Sequence, residues 1–262
     1  MNPMSAVDHA GLSDIGRRRS SNQDRWAVDV EQGLFLVADG VASSSDGALA
    51  AQMVVELLPV YLARHLEPGE PDDAAASEQL GRAVAQLSDD LRAKGKTDSR
   101  IAGATTTVVA AVIAGSRALI AHLGDSRAYL YRAPQLYHLT RDHSLLEALI
   151  DAGEVTAEDA DGHSARNVLT RHVAMRRPAL PDVGVVDLRR GDRILLCSDG
   201  LYGVVDDASL AQLLRAHREP GKACAALIDA ANSAGGPDNI TAVVIDIANT
   251  GDASTVADLP AV

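Results

Sequence analysis

The chain has 262 residues, 47% of them apolar and only 3% aromatic, enough for a sizeable core packed mainly by Ala, Val and Leu. With 24 basic against 36 acidic residues the formal net charge is −12, which argues against broad binding of nucleic acid or anionic membranes. The same balance suits drawing metal cations into a carboxylate site.

In chain order, residues 34–38 form an apolar run that drives straight into Asp39 and Gly40. A helix is predicted over residues 46–66, with Leu49, Met53, Leu57, Tyr61 and Leu62 on one stripe, a kink at Pro59 and an end at Pro68-Gly69. A second helix, over 76–94, places Leu80, Val84, Leu87 and Leu91 on its inner face. Residues 105–113 and 118–123 read as a strand hairpin, and 128–132 and 136–139 as another around Pro134. Residues 144–177 are polar and rich in His, Asp and Arg, with short helical pieces, and read as an inserted surface flap. Strands resume at 183–188 and 192–198, helices follow near 207–217 and 221–233, and a last strand covers 240–247. Strands and helices arrive in adjacent pairs, the mark of an antiparallel α+β layout. With no repeat and no linker, residues 1–248 are expected to form one domain, followed by a disordered tail over 249–262.

Other signals are bland. Cys197 and Cys224 lack CxxC spacing and read as reduced thiols. The opening residues carry no basic and apolar regions of a signal peptide. The longest apolar stretch, around 107–114, falls short of the roughly 20 residues that span a bilayer. A cytoplasmic protein without direct membrane insertion is the expectation.

The aspartates are less bland. Asp39 and Asp199 each end an apolar run and precede a glycine, Asp125 follows a strand in LGDSR, and Asp238 lies just before the last strand in GGPDNITAVVI. Asp14 and Asp24 flank SDIGRRRSSNQD. Converging carboxylates repel one another unless cations neutralise them, and all-oxygen donors suit magnesium or manganese. Zinc is disfavoured, since the eight histidines show no HxH or HExxH pattern.

The motif order SDIGRRRSSNQD, LFLVADG, GATTT, GDSRAYL, LCSDGLYG, GGPDNITAVVI strongly resembles the metal-dependent protein phosphatase family, protein phosphatase 2C, over about residues 8–247. That resemblance implies a four-layer α-β-β-α sandwich of two antiparallel sheets flanked by helix pairs. It implies that Asp39 bridges two Mn2+ or Mg2+ ions, with the Gly40 carbonyl on the second and Asp199 and Asp238 on the first. Asp125 with Asp199 matches the third-metal site of many members, Asp24 the carboxylate that orders water at the metal, and Arg19 the phosphate-binding arginine. The implied reaction is water attack on phosphoserine or phosphothreonine in proteins, opposing a cognate serine/threonine kinase, by a bacterial-type monomeric enzyme.

Three departures from the family pattern stand out. Gln23 replaces a common glutamate and would hold the second ion more weakly. The residues after Asp39-Gly40 are Val41-Ala42-Ser43, and no histidine follows them to serve as the general acid used by some members. His143, His163 and His172 are expected to be structural. Two other readings stay open: a catalytically weak phosphoprotein-binding regulatory module, invited by Gln23, and a metal-dependent nuclease, disfavoured by the acidic balance.

Overall fold

The computed structural model describes residues 7–41, 47–65, 73–156, 159–160, 162–178 and 180–247. The expected tail, the Pro68-Gly69 helix end and the Ala42-Ser43 stretch lie outside the described residues.

Two antiparallel sheets face each other. One runs β1 (Val7–Asp14), β11 (Ile240–Ile247), β10 (Arg193–Cys197), β7 (Arg127–Arg132), β8 (Gln135–His138). The other runs β2 (Asp24–Asp29), β3 (Leu34–Val41), β5 (Val108–Ala114), β6 (Arg117–Leu123), β9 (Asp182–Asp187), with the short β4 (Thr105–Thr106) paired to the end of β3. Phe35, Val37, Val109, Ile120, Leu130, Ile194, Val243 and Ile245 fill the space between the sheets. Strand alternation sends their neighbours outward to two further cores. Leu34, Leu36, Ala110 and Ala121 pack under α1 (Gly47–His65) and α2 (Asp73–Lys94), while Leu195, Cys197, Ala242 and Val244 pack under α5 (Asp207–Ala216) and α6 (Pro220–Ser233). Three apolar seams make four layers, the expected α-β-β-α sandwich. Each fully buried Leu or Ile in them contributes roughly 1.5–3 kcal/mol.

The helices refine the sequence expectations. α2 buries Leu80, Val84, Leu87 and Leu91 as expected. In α1 Met53, Tyr61 and Leu62 of the expected stripe are buried, Leu49 and Leu57 are only partly buried, and Ala50, Ala51, Val54 and Leu58 widen the buried face. The helix continues through Pro59, although proline cannot donate to the Val55 carbonyl. α1 is also long and apolar enough to cross a membrane by length and composition, which the sequence reading overlooked; half of that window is buried in the protein, as in a core helix. Cys197 and Cys224 are free and buried, as expected.

Two strands escaped sequence reading. β1 and β2 lie at the ends of their sheets, are short of fully buried apolar residues, and carry Asp at their termini. The expected 105–113 strand is split, because the chain at Thr106–Thr107 turns aside to bond Asp39 before β5 begins.

Candidate active site

The chain crosses from one sheet to the other between β6 and β7, and that crossing carries Asp125. Asp199 opens the four-residue helix α4 (Asp199–Tyr202) directly after β10, and Asp238 precedes β11. Asp39 lies inside β3, two residues before its end, so it does not terminate the strand as the apolar run suggested. Its partner across the ladder is Asp24 of β2. Like charges directly opposite each other destabilise a sheet, so this register needs compensation.

Asp39, Asp125, Asp199, Asp238 and Arg19 line one cleft of about 410 Å3, together with Gln23 and Gly40. Asp24 sits behind it, its Oδ2 accepting from Ser198 Oγ at 2.6 Å and Thr241 Oγ1 at 2.7 Å. Asp14 is not part of the group: its Oδ1 accepts from the Gly16 amide and from Asn232, bracing a turn.

Electrostatics follow from burial. The Asp39 carboxyl is pushed well above the usual carboxylate range by loss of solvent, then by the charges of Asp24, Asp199, Asp125 and Asp238. Burial, with Asp199 and Asp142 nearby, pushes Asp125 up to about 8. Burial, with Asp238 and Asp24 nearby, pushes Asp199 up to about 7. Burial also raises Asp24 against the two hydroxyls that hold its charged form. Asp199 Oδ1 and Asp24 Oδ1 are buried without a hydrogen-bond partner, at a cost of about 1–3 kcal/mol for an ordinary polar group. A cluster that is acidic, buried and left with orphaned oxygens fits hard divalent cations.

The floor is rigid because backbone and hydroxyl groups hold it. Thr107 Oγ1 accepts from the Asp39 amide at 3.0 Å, Thr106 Oγ1 donates to the Asp39 carbonyl at 2.8 Å, and the Thr107 amide donates to the same carbonyl. That explains the threonines of GATTT. Thr107 Oγ1 also meets Ser126 Oγ at 2.7 Å, while Tyr202 Oη donates to the Asp125 carbonyl at 2.8 Å. The Arg127 guanidinium grips Asp142 with two 2.8 Å bonds and stacks 3.7 Å above the Tyr202 ring. Glycine is required after both floor aspartates: a Cβ at Gly40 would lie 2.2 Å from the Gly47 carbonyl oxygen, and one at Gly200 would lie 1.9 Å from that of Asn239.

Arg19 is half exposed and donates from Nη2 to Asp238 Oδ2 at 2.6 Å. The Gln23 amide donates to Asn239 Oδ1 at 2.8 Å, and the Asn239 side-chain amide donates to the Ile15 and Ser21 carbonyls. Asn239 therefore ties the Arg19 loop to the strand that follows Asp238. Sequence reasoning gave Asn239 no role, although NITAVVI placed a polar side chain just before an apolar strand.

The flap histidines divide. His143 is structural, as expected: Nδ1 accepts from the Gly124 amide at 3.1 Å and Nε2 faces Asp182 at 3.2 Å. His163 caps the short 3-10 helix Ser164–Asn167. His172 differs, since it lines the cleft with Asn167 and Leu169, a position no periodicity in this polar segment could have indicated.

The sequence profile of protein phosphatase 2C matches residues 13–231. The serine/threonine phosphatase stp of Listeria innocua is 32% identical over 245 residues, covering 89% of this chain and 93% of that one. A crystal structure of the Mycobacterium tuberculosis serine/threonine phosphatase PstP superposes with a TM-score of 0.82 at 32% identity, covering 93% of this chain and 100% of that one. A structure of the PstP catalytic domain in complex with two manganese ions superposes at 0.78 with 30% identity over 93% of this chain and 99% of that one. Fold, sequence and site agree: the chain belongs to the protein phosphatase 2C family.

Proposed function

We propose that this protein hydrolyses phosphoserine and phosphothreonine in proteins, with Mn2+ or Mg2+ in the carboxylate cleft. The observation that carries the reading is the buried cluster of Asp39, Asp125, Asp199 and Asp238 beside Arg19. Asp39, the Gly40 carbonyl, Asp199 and Asp238 would hold two ions, and Asp125 with Asp199 a third. Bound there, divalent cations neutralise phosphate charge and lower the pKa of water.

The remaining roles belong to side chains. Arg19, at the half-exposed rim, exchanges its Asp238 contact for two phosphate oxygens, which a planar guanidinium holds better than an ammonium. Asp24, fixed by Ser198 and Thr241, orders water in the floor and keeps one oxygen free for it. Cys197 and Cys224 are buried outside the cleft, so neither thiol is the nucleophile, and the reading assigns the attack to water. We read residues 1–248 as one catalytic domain with 144–177 as its flap, monomeric and cytoplasmic, opposing a serine/threonine kinase.

The test is hydrolysis of p-nitrophenyl phosphate and a phosphothreonine peptide, titrated with Mn2+ and repeated with chelator. Turnover that follows Mn2+ and vanishes with chelator is expected. A folded protein that stays inert at every Mn2+ concentration contradicts the reading.

A further inference from the structure

Expelling a serine or threonine oxygen from phosphorus creates a strongly basic alkoxide unless a proton arrives as the ester bond breaks. Few groups in the cleft could deliver one. The Arg19 guanidinium keeps its protons, and the amides of Gln23, Asn167 and Asn239 are not acids at neutral pH. In the reading above Asp39, Asp125, Asp199 and Asp238 would hold cations and so would carry no proton to give. His172 remains, and imidazole is the side chain most used for proton transfer near neutral pH.

Its geometry suits the task. His172 Nδ1 lies 3.1 Å from the Val173 carbonyl oxygen, and since a carbonyl only accepts, Nδ1 carries hydrogen. Nε2 is then the exchanging nitrogen, and no hydrogen bond from a described residue reaches it. The next residue is anchored: Val173 is buried, and its amide donates to the Thr106 carbonyl at 2.9 Å. Thr106 is the residue whose hydroxyl holds the Asp39 carbonyl, so one threonine ties the backbone beside His172 to the carboxylate floor. The neighbouring histidines have other engagements, His122 Nε2 with the Arg141 carbonyl and His143 with Gly124 and Asp182.

We propose that His172 is the general acid of this phosphatase, an inference that rests on the phosphatase reading above. Water oxygen bonds to phosphorus, the ester P–O bond breaks with its electron pair staying on the serine or threonine oxygen, and that oxygen takes the Nε2 proton. The imidazole is left as the Nδ1–H tautomer that the Val173 carbonyl favours. The proton released by the attacking water restores the imidazolium through solvent.

Leaving-group chemistry tests this directly. Nitrophenolate leaves without help, whereas an alkoxide does not. His172→Asn keeps an amide donor near the Nδ1 position for Val173 and deletes Nε2; His172→Ala is the second variant. With Mn2+ present, both are expected to lose on the order of 10²-fold in kcat on a phosphothreonine peptide and less than about 3-fold on p-nitrophenyl phosphate. In the wild type, adding inorganic phosphate should move the His172 Nε2 nitrogen resonance and leave Nδ1 nearly still. Equal losses on both substrates, or none on either, overturn the acid role while leaving the phosphatase reading intact. A wild type inert towards both substrates overturns both.

Discussion

Two groups of ionisable side chains lie on either side of the Gly124–Asp125 turn, and they are opposites. In the cleft, Asp39, Asp125, Asp199 and Asp238 share one sign, and burial lifts Asp125 to about 8 and Asp199 to about 7. At the flap root, His122, His143 and Asp182 approach one another within 4.8 Å, yet that group is already satisfied. Arg171 holds both Asp182 oxygens at 2.7 and 3.0 Å, pulling that carboxyl well below the usual range, and buried His143 is held near 4, uncharged at neutral pH. Proximity of metal-capable groups therefore says little by itself. Charge balance separates a site that requires a ligand from a cluster that staples a flap.

The largest expected effect comes from neutralising the cleft at its centre. Asp39→Asn should lower kcat by on the order of 10³-fold, yet leave the metal-free protein as stable as wild type or more so at pH 8, because a buried carboxyl facing other carboxylates is gone. Thermal unfolding beside the kinetic assay checks both halves. Next comes pH. Asp125 and Asp199 bind protons more tightly folded than unfolded, so between pH 6.5 and about 8 the metal-free protein should lose stability as pH rises. Below 6.5 the depressed His143 opposes that trend, because the unfolded chain then binds its proton better. Mn2+ should accordingly raise the melting temperature more at pH 8 than at pH 6.5, and a flat metal effect would break the comparison.

A smaller effect is expected at the flap root. Asp182→Asn should cost at most about 1 kcal/mol, since the side chain is half exposed, and should leave Mn2+ affinity unchanged. Gln23→Glu would sharpen the contrast by adding a carboxylate to the cleft. It should tighten Mn2+ binding by about 3–10-fold, and an unchanged titration would place residue 23 away from the ions.

Much of this is legible in the sequence. Asp39, Asp125, Asp199 and Asp238 announced themselves as charged residues beside apolar runs, and β5, β6, β10 and β11 as the runs themselves. What stayed hidden depends on pairing across long sequence separation. The Asp24–Asp39 register arises because β2, a polar end strand, lies against β3, and neither composition nor period marks β2 as a strand. The Thr106 and Thr107 bonds to Asp39 span more than 60 residues, so GATTT was noticeable as a pattern without disclosing its task. His172 reached the cleft through the Thr106–Val173 bridge, a tertiary contact in a segment with no hydrophobic period.

The most direct test of the central claim is a calorimetric Mn2+ titration of metal-free wild type at pH 8, with Asp39→Asn alongside. At least two ions bound by wild type, with binding lost or greatly weakened in the variant, is the predicted result. A wild type that binds no Mn2+, or a variant that binds as wild type does, would show that the buried carboxylates are not a cation site.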